Sequence, residues 1–266
     1  MSVIMSTYDN AAYIEAAIAS LIAQTHRNWE LIVVDDCSTD GTAAILERLA
    51  GSDDRISARR NEANQGYSRN RNLAIPTARG KYVTFLDSDD EREPTSLEQQ
   101  AGFLEANPEV VLVGTGCQWC DENLVRLNDR LYPLTDPEIR KRILRYSAFC
   151  IPSMMMRLAV LDDPVFDVDL YPADDIDLPL RLGLKGKLAN LPEPLYRIRS
   201  HPKSTTQAKI RAMEKKTFEV RRKAVREYGY RATPVDIGWN AAQWATMQVM
   251  PGSWRFWLFN RMRATK

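Results

Sequence analysis

Glu30-Leu31-Ile32-Val33-Val34-Asp35-Asp36-Cys37-Ser38-Thr39-Asp40-Gly41-Thr42 is the stretch that decides how this chain is read. Leu31–Val34 is too short and too evenly apolar for a surface helix, and reads as a buried strand. It stops at Asp35-Asp36. Ser38 to Thr42 then offer turn and N-cap residues for a helix through Ile45, Leu46 and Leu49. A buried strand, a polar turn and a helix in that order make half of a βαβ unit.

The same alternation extends in both directions. Val3–Ser6 reads as a first strand, followed by a helix over Ala11–Ala23 with Ile14, Ile18, Leu21 and Ile22 on one face. Ile56–Arg59 is a weaker strand, and Ser68–Ile75 is a helix closed by Pro76. Tyr82–Leu86 is a fourth strand that runs into Asp87-Ser88-Asp89-Asp90. Further on, the pattern predicts a helix over Ser96–Glu105, a strand over Val110–Gly114 and a hairpin strand near Leu127–Tyr132. It also predicts a helix over Pro137–Tyr146 and a short helix over Ile176–Leu184. Two strands, Lys187–Leu191 and Leu195–Arg199, are expected on either side of Pro192-Glu193-Pro194. Ala208–Tyr228 reads as a long amphipathic helix with Ile210, Met213, Val220, Ala224 and Tyr228 on one stripe. The expected class is α/β, a mostly parallel, Rossmann-like sheet flanked by helices, with a helical C-terminal extension.

Bulk properties agree with a globular chain. At 266 residues, with 44% hydrophobic and 27% charged side chains, it can bury a sizeable core. No apolar run approaches the roughly 20 residues of a membrane-spanning helix. No secretory signal is evident either, so cytoplasmic residence is the expectation. Four cysteines (Cys37, Cys117, Cys120, Cys150) are too few for a disulfide framework, and Cys117-x-x-Cys120 lacks the second pair of a zinc site. The near-zero net charge hides an asymmetry. Residues 1–198 hold 21 basic against 31 acidic residues, whereas 199–266 hold 15 against 4. That basic tail contains Trp239, Trp244, Trp254, Phe256, Trp257 and Phe259 among Arg255, Arg261, Arg263 and Lys266. It reads either as a peripheral membrane contact or as a helix packed on the body. No nucleic-acid-binding motif accompanies the charge, and no nucleic-acid partner is expected.

The chemistry lies where two strands end in carboxylates, at Asp35-Asp36 and at Asp87-Ser88-Asp89-Asp90. In an open α/β sheet, ligands bind at the carboxyl ends of strands. Acidic residues there repel a phosphate unless a divalent cation lies between, an arrangement that suits Mg²⁺ with one or two carboxylates. Taken alone, Asp-x-Asp is equally a strand-ending turn.

The ordered set resembles glycosyltransferase family 2, whose members have the GT-A fold. The matching segments are Ser6-Thr7-Tyr8-Asp9-Asn10, Ser20-Leu21-x-x-Gln24-Thr25, Glu30 to Thr42, Asn64-x-Gly66, Arg71-Asn72 and Gly80 to Asp90. Asp174-Asp175-x-Asp177-Leu178 and Leu195-Tyr196-Arg197-x-Arg199-x-His201 follow, and the likeness fades over roughly the last 50 residues. It implies an inverting, metal-dependent glycosyltransferase that uses a nucleotide-sugar donor. The acceptor is expected to be a saccharide or lipid-linked saccharide, in cell-surface polysaccharide or glycolipid synthesis. By the resemblance, Thr7 and Tyr8 contact base and ribose, Asp36 accepts a hydrogen bond from the base, and Arg71 lies by the base and phosphates. Asp87 faces the ribose, and Asp89 holds Mg²⁺ or Mn²⁺, with His201 completing the site beside Arg197 or Arg199. Asp174 stands where the family usually has glutamate, and Asp175 matches the general base. On their own residues, Asp174 and Asp175 read equally as an N-cap for a helix beginning at Ile176.

The resemblance also divides the chain into a catalytic domain over 1–205, with a nucleotide half 1–90 and an acceptor half 91–205, and an extension over 206–266. The enzymatic rival is a nucleotidyltransferase acting on sugar phosphates. It needs a Gly-rich loop after the first strand, and Ser6–Asn10 has no glycine. A catalytically inactive nucleotide-sugar-binding protein is the other alternative, and the intact carboxylates argue against it.

Overall fold

In the computed structural model, described over residues 1–201 and 209–250, one mixed sheet organises the chain. Its first half is parallel throughout: β1 (Ser2–Thr7) pairs with β2 (Glu30–Asp35) and β4 (Tyr82–Phe85), and β2 pairs with β3 (Ile56–Arg60). The crossovers are the expected helices α1 (Ile14–Ile22), α2 (Thr42–Ala50) and α3 (Tyr67–Ala74). Strand order 3-2-1-4 reverses beside β1, so the carboxyl ends of β1, β2 and β4 open on one cleft.

The second half mixes directions. β5 (Glu91–Arg92) leads to α4 (Ser96–Ala106), and then come β6 (Val110–Cys120) with its hairpin partner β7 (Arg126–Arg130). After α5 (Asp136–Arg142), β8 (Met155–Arg157) lies antiparallel between β4 and β6. α6 (Asp174–Leu182) precedes β9 (Lys187–Arg199), which runs parallel to β6 and antiparallel to β5. β5 and β8 are too short to carry a periodic signal, and the sequence pattern does not announce them.

Several boundaries differ from expectation: β6 runs on to Cys120 rather than ending at Gly114, α5 stops at Arg142 rather than Tyr146, and two further differences bear on the site. Lys187–Arg199 is one strand rather than two: β6 advances from Gly114 to Gly116 while β9 advances from Asn190 to Pro194. Pro192 and Pro194 therefore sit at a bulge, where missing N–H groups cost the ladder little. α6 begins at Asp174 and its N-cap is Ala173, which makes no side-chain cap. Asp174 and Asp175 are thus in the first turn, where the helix dipole favours carboxylates.

Apolar clusters fill both faces. Val3, Met5, Leu31 and Val33 pack with α1, α2 and α4 on one side; Ile4, Val34, Phe85 and Phe166 pack on the other. β1 is buried at all six positions, which fits a central parallel strand. Gly80 lies so close to the start of β1 that a Cβ would sit 2.5 Å from the Ser2 nitrogen. Gly80→Ala is expected to destabilise by about 1–3 kcal/mol, because the obstruction is backbone. Thermal unfolding checks it, at about 2–4 °C per kcal/mol for a domain of this size.

At the C-terminal side, α7 (Ile210–Arg226) packs on α6, with the Tyr228 hydroxyl donating to Asp177 at 2.9 Å. α8 (Pro234–Val249) docks through Trp239, whose indole N–H donates to the Arg145 carbonyl at 3.1 Å, and through an Asp236–Arg145 ion pair. α8 thus packs on the body through Trp239 and Asp236 while Trp244 on the same helix is half-exposed; Trp254, Phe256, Trp257 and Phe259, with the cations around them, lie outside the described residues. No described helix is long and apolar enough to cross a membrane.

Candidate active site

The cleft is built from loops that lock one another at the strand ends. After β1 the chain turns at Asp9, whose φ of 48° is a conformation that Asp tolerates better than most residues. Asp9 Oδ1 accepts from the Thr39 N–H at 2.6 Å, and Ser38 Oγ accepts from the Asp9 N–H at 3.0 Å. The 8–10 and 37–42 loops are thereby fastened together. Thr7 is buried and its hydroxyl has no hydrogen-bond partner among the described residues, whereas Tyr8 is 49% exposed at the rim.

Asp36 is buried beside Thr7, to whose carbonyl its N–H donates at 2.8 Å. Its Oδ1 accepts from Asn61 Nδ2 at 2.9 Å and the Gln65 N–H at 2.8 Å, and its Oδ2 from the Gly66 N–H at 2.8 Å. The carboxylate therefore shapes the 61–66 loop, a task its place in the sequence does not reveal. Gly66, at φ 91°, is the turn into α3.

α3 carries Arg71 into the interior. Arg71 is 1% exposed and lies over the rings of Tyr67 (3.9 Å), Phe85 (4.1 Å) and Phe166 (5.6 Å). Its Nη2 donates to Asp87 Oδ1 at 2.8 Å, and the Tyr67 hydroxyl donates to the same oxygen at 2.5 Å. Nε and Nη1 have no hydrogen-bond partner among the described residues. Burial lowers the pKa of this guanidinium, while Asp87, Asp175 and Asp174 oppose that shift. A helix-surface charge is excluded.

Three segments that the sequence separates thus act on one another here: Arg71, Asp87 and the adjacent pair Asp174-Asp175. Asp87 is 28% exposed, and its carboxyl is pushed up to about 6, first by burial, with Arg71 opposing and Asp89 adding. Asp175 is half-buried and is pushed up to about 7, first by burial and next by repulsion from Asp174, with Arg71 pulling it down. Burial likewise raises Asp174, whose Oδ2 is unpartnered among the described residues. An acid near 7 is poised to exchange a proton at neutral pH.

Across the cleft, His201 Nε2 lies 2.9 Å from Asp89 Oδ2, and its ring is 5.0 Å from that of Tyr13. His201 is buried rather than an exposed loop residue. Of the two arginines expected beside it, Arg197 turns away to Glu93 at 2.8 Å. Arg199 is the neighbour, donating Nε to the Asp89 carbonyl at 2.7 Å and its N–H to Asp90 Oδ1 at 2.8 Å. Tyr67 and Tyr196 carry no role in the sequence reading, yet both reach Asp87: the Asp87 N–H donates to the Tyr196 hydroxyl at 3.1 Å. The i, i+4 spacing of Tyr67 and Arg71 was the available signal for the first.

No group of three or more His, Cys, Asp or Glu side chains gathers as a metal site among the described residues. Asp89 supplies one carboxylate, which fits Mg²⁺ or Mn²⁺ held by one or two carboxylates with substrate phosphates and water completing the octahedron, and the His201 imidazole stands beside it. The four cysteines are free thiols.

Comparison with known proteins agrees with this architecture. The Glycosyl transferase family 2 model matches residues 2–166. Among curated relatives, the putative glycosyltransferase EpsE of Bacillus subtilis is 35% identical over 206 residues, covering 75% of this chain and 72% of EpsE. The putative teichuronic acid biosynthesis glycosyltransferase TuaG of the same organism is 45% identical over 104 residues, 39% of this chain and 41% of TuaG. Among solved structures, S. aureus TarS 1-349 in complex with UDP aligns with TM-score 0.69 at 22% identity, over 95% of this chain and 72% of that one. The mannosyltransferase PcManGT from Pyrobaculum calidifontis, in complex with GDP-Man and Mn²⁺, aligns with TM-score 0.64 at 21% identity, over 95% and 70%. These likenesses support the expected GT-A fold. With the family model spanning most of the chain, and a 35%-identical relative covering three quarters of it, the chain belongs to glycosyl transferase family 2.

Proposed function

We propose that the chain transfers a sugar from a nucleoside-diphosphate sugar to an acceptor hydroxyl, in one displacement that inverts the anomeric carbon. The observation that carries this reading is the buried cation Arg71, which donates to Asp87 at 2.8 Å and lies within the electrostatic reach of Asp174 and Asp175. The acceptor oxygen bonds to the anomeric carbon as the bond from that carbon to the diphosphate oxygen breaks. Asp175 takes the acceptor proton, and its raised pKa matches that task.

Thr7 and Tyr8 flank base and ribose, and Asp36 holds the 61–66 loop against them while facing the base. Asp87 faces the ribose with its orientation set by Arg71, Tyr67 and Tyr196. Asp174 crowds Asp175 and keeps its proton affinity high. Asp89, with His201 beside it, would hold Mg²⁺ or Mn²⁺, and the ion would supply Lewis-acid stabilisation of the negative charge on the leaving diphosphate. The fold shared with structures in complex with UDP and with GDP-Man and Mn²⁺ supports the donor and metal class. The likeness to TuaG, a putative teichuronic acid biosynthesis glycosyltransferase, supports a part in polysaccharide synthesis, for which we propose a saccharide or lipid-linked saccharide acceptor.

A thermal-shift panel of nucleotide-sugars with Mg²⁺ or Mn²⁺, followed by measurement of released nucleoside diphosphate, tests the reading. Stabilisation by no nucleotide-sugar would count against it. Chelation of divalent cations is expected to stop transfer, with Mn²⁺ or Mg²⁺ restoring it, and Asp89→Ala is expected to remove that restoration. Turnover that persists unchanged after exhaustive chelation would overturn the metal assignment.

A further inference from the structure

α7, which packs on α6, and α8, which docks on Leu144 and Arg145, meet in an open groove of about 460 Å³. Its walls include Phe218, Val225, Ile237 and Trp244, of which Ile237 is 61% and Trp244 48% exposed. Lys215, Arg222 and Arg226 stand along it, all exposed and without an ion-pair partner among the described residues. With Arg211, they are spaced four, seven and four residues apart, which puts them on one face of α7. The two acids that line it are engaged: Glu219 with Lys216 at 2.6 Å, and buried Asp236 with Arg145 at 2.8 Å. The groove is therefore apolar at its floor and net cationic at its rim.

We infer that this face of α7 and α8 docks on an anionic membrane surface, with Ile237 and Trp244 entering the headgroup boundary and Lys215, Arg222 and Arg226 meeting lipid phosphates. Charge complementarity selects the occupant. A second copy on a twofold axis would set the same cations against each other. Residues 251–266 carry four cations and no acid, so they are repelled by the rim in the same way. A nucleic-acid partner has no use for the apolar floor, whereas aliphatic and Trp side chains ringed by Lys and Arg suit a lipid interface. Docking on this face leaves Asp175 one helix away, since α7 is tied to α6 by the Tyr228–Asp177 bond and to Asp167 by Lys223 at 2.8 Å. The inference stands independently of the transfer reaction.

Flotation of the full chain with phosphatidylglycerol–phosphatidylcholine vesicles, against phosphatidylcholine alone, tests it. Binding is expected only to the anionic vesicles, and it should weaken sharply at high salt. The combined variant Lys215→Gln, Arg222→Gln, Arg226→Gln should lower partitioning by roughly 100-fold, at about fivefold per cation. Ile237→Ser with Trp244→Ser should weaken binding too; a melting temperature close to wild type will establish that these exposed substitutions leave the fold intact. The inference fails if the wild-type chain does not float with anionic vesicles, or if the triple variant floats as well as wild type. It fails equally if size-exclusion reveals a dimer that the Ser variant dissociates, or if salt-sensitive nucleic-acid binding occurs without vesicle binding.

Discussion

Asp175→Asn is expected to lower turnover by roughly 10²–10⁴-fold while sparing donor binding, because it removes the proton acceptor and little volume. The same residue sets a pH profile. Its carboxyl is raised to about 7 by burial and by Asp174, so the competent, deprotonated form is lost as pH falls through about 7. Below that point kcat/KM should fall about tenfold per pH unit, and above it should level off, since kcat/KM reports the free enzyme. An exposed aspartate would place that fall near its ordinary value of about 3.9. Near-normal turnover in Asp175→Asn, or a flat profile between about pH 5 and 8, would remove Asp175 from the proposed role.

Arg71→Ala is expected to have the largest effect on stability. It leaves the Asp87 carboxylate without its cation and opens space between the rings of Tyr67, Phe85 and Phe166. Removing one partner of a buried pair costs about 3–5 kcal/mol. The lower end applies here, because Asp87 is 28% exposed and water can reach it. At about 2–4 °C per kcal/mol, the melting temperature should drop by roughly 10 °C. Arg71→Lys keeps a charge but loses the planar stacking and the fork of donors, so it should restore only part of the loss. The two predictions are coupled: Arg71 pulls the Asp175 pKa down, and its removal should move the pH midpoint upward. A melt indistinguishable from wild type would mean that Asp87 does not depend on Arg71.

The first 90 residues were the most legible, because strand, turn and helix signals there are local. A strand such as Ser2–Thr7 announces itself in six residues, and α2 is marked by the turn that precedes it. The acidic motifs were legible as positions, and Asp89 with His201 proved to be neighbours. Legibility fell beyond residue 110, where the sheet turns mixed. β8 is three residues long, and its place between β4 and β6 is set by partners far along the chain. The prolines of β9 pointed to a break, since the bulge that accommodates them belongs to the pairing with β6.

What the sequence by itself determined is the family, the α/β alternation of the first half and the two acidic motifs, because hydrophobic period and turn chemistry act over a few residues. Only the tertiary structure decided that Arg71 is a buried cation rather than a surface charge, and that Asp36 spends its oxygens on the 61–66 loop. Tertiary contacts also set the proton affinity of Asp175, and paired His201 with Asp89 across 112 positions. Burial and electrostatic fields are sums over neighbours that folding alone assembles, and the chemistry of this site depends on those sums.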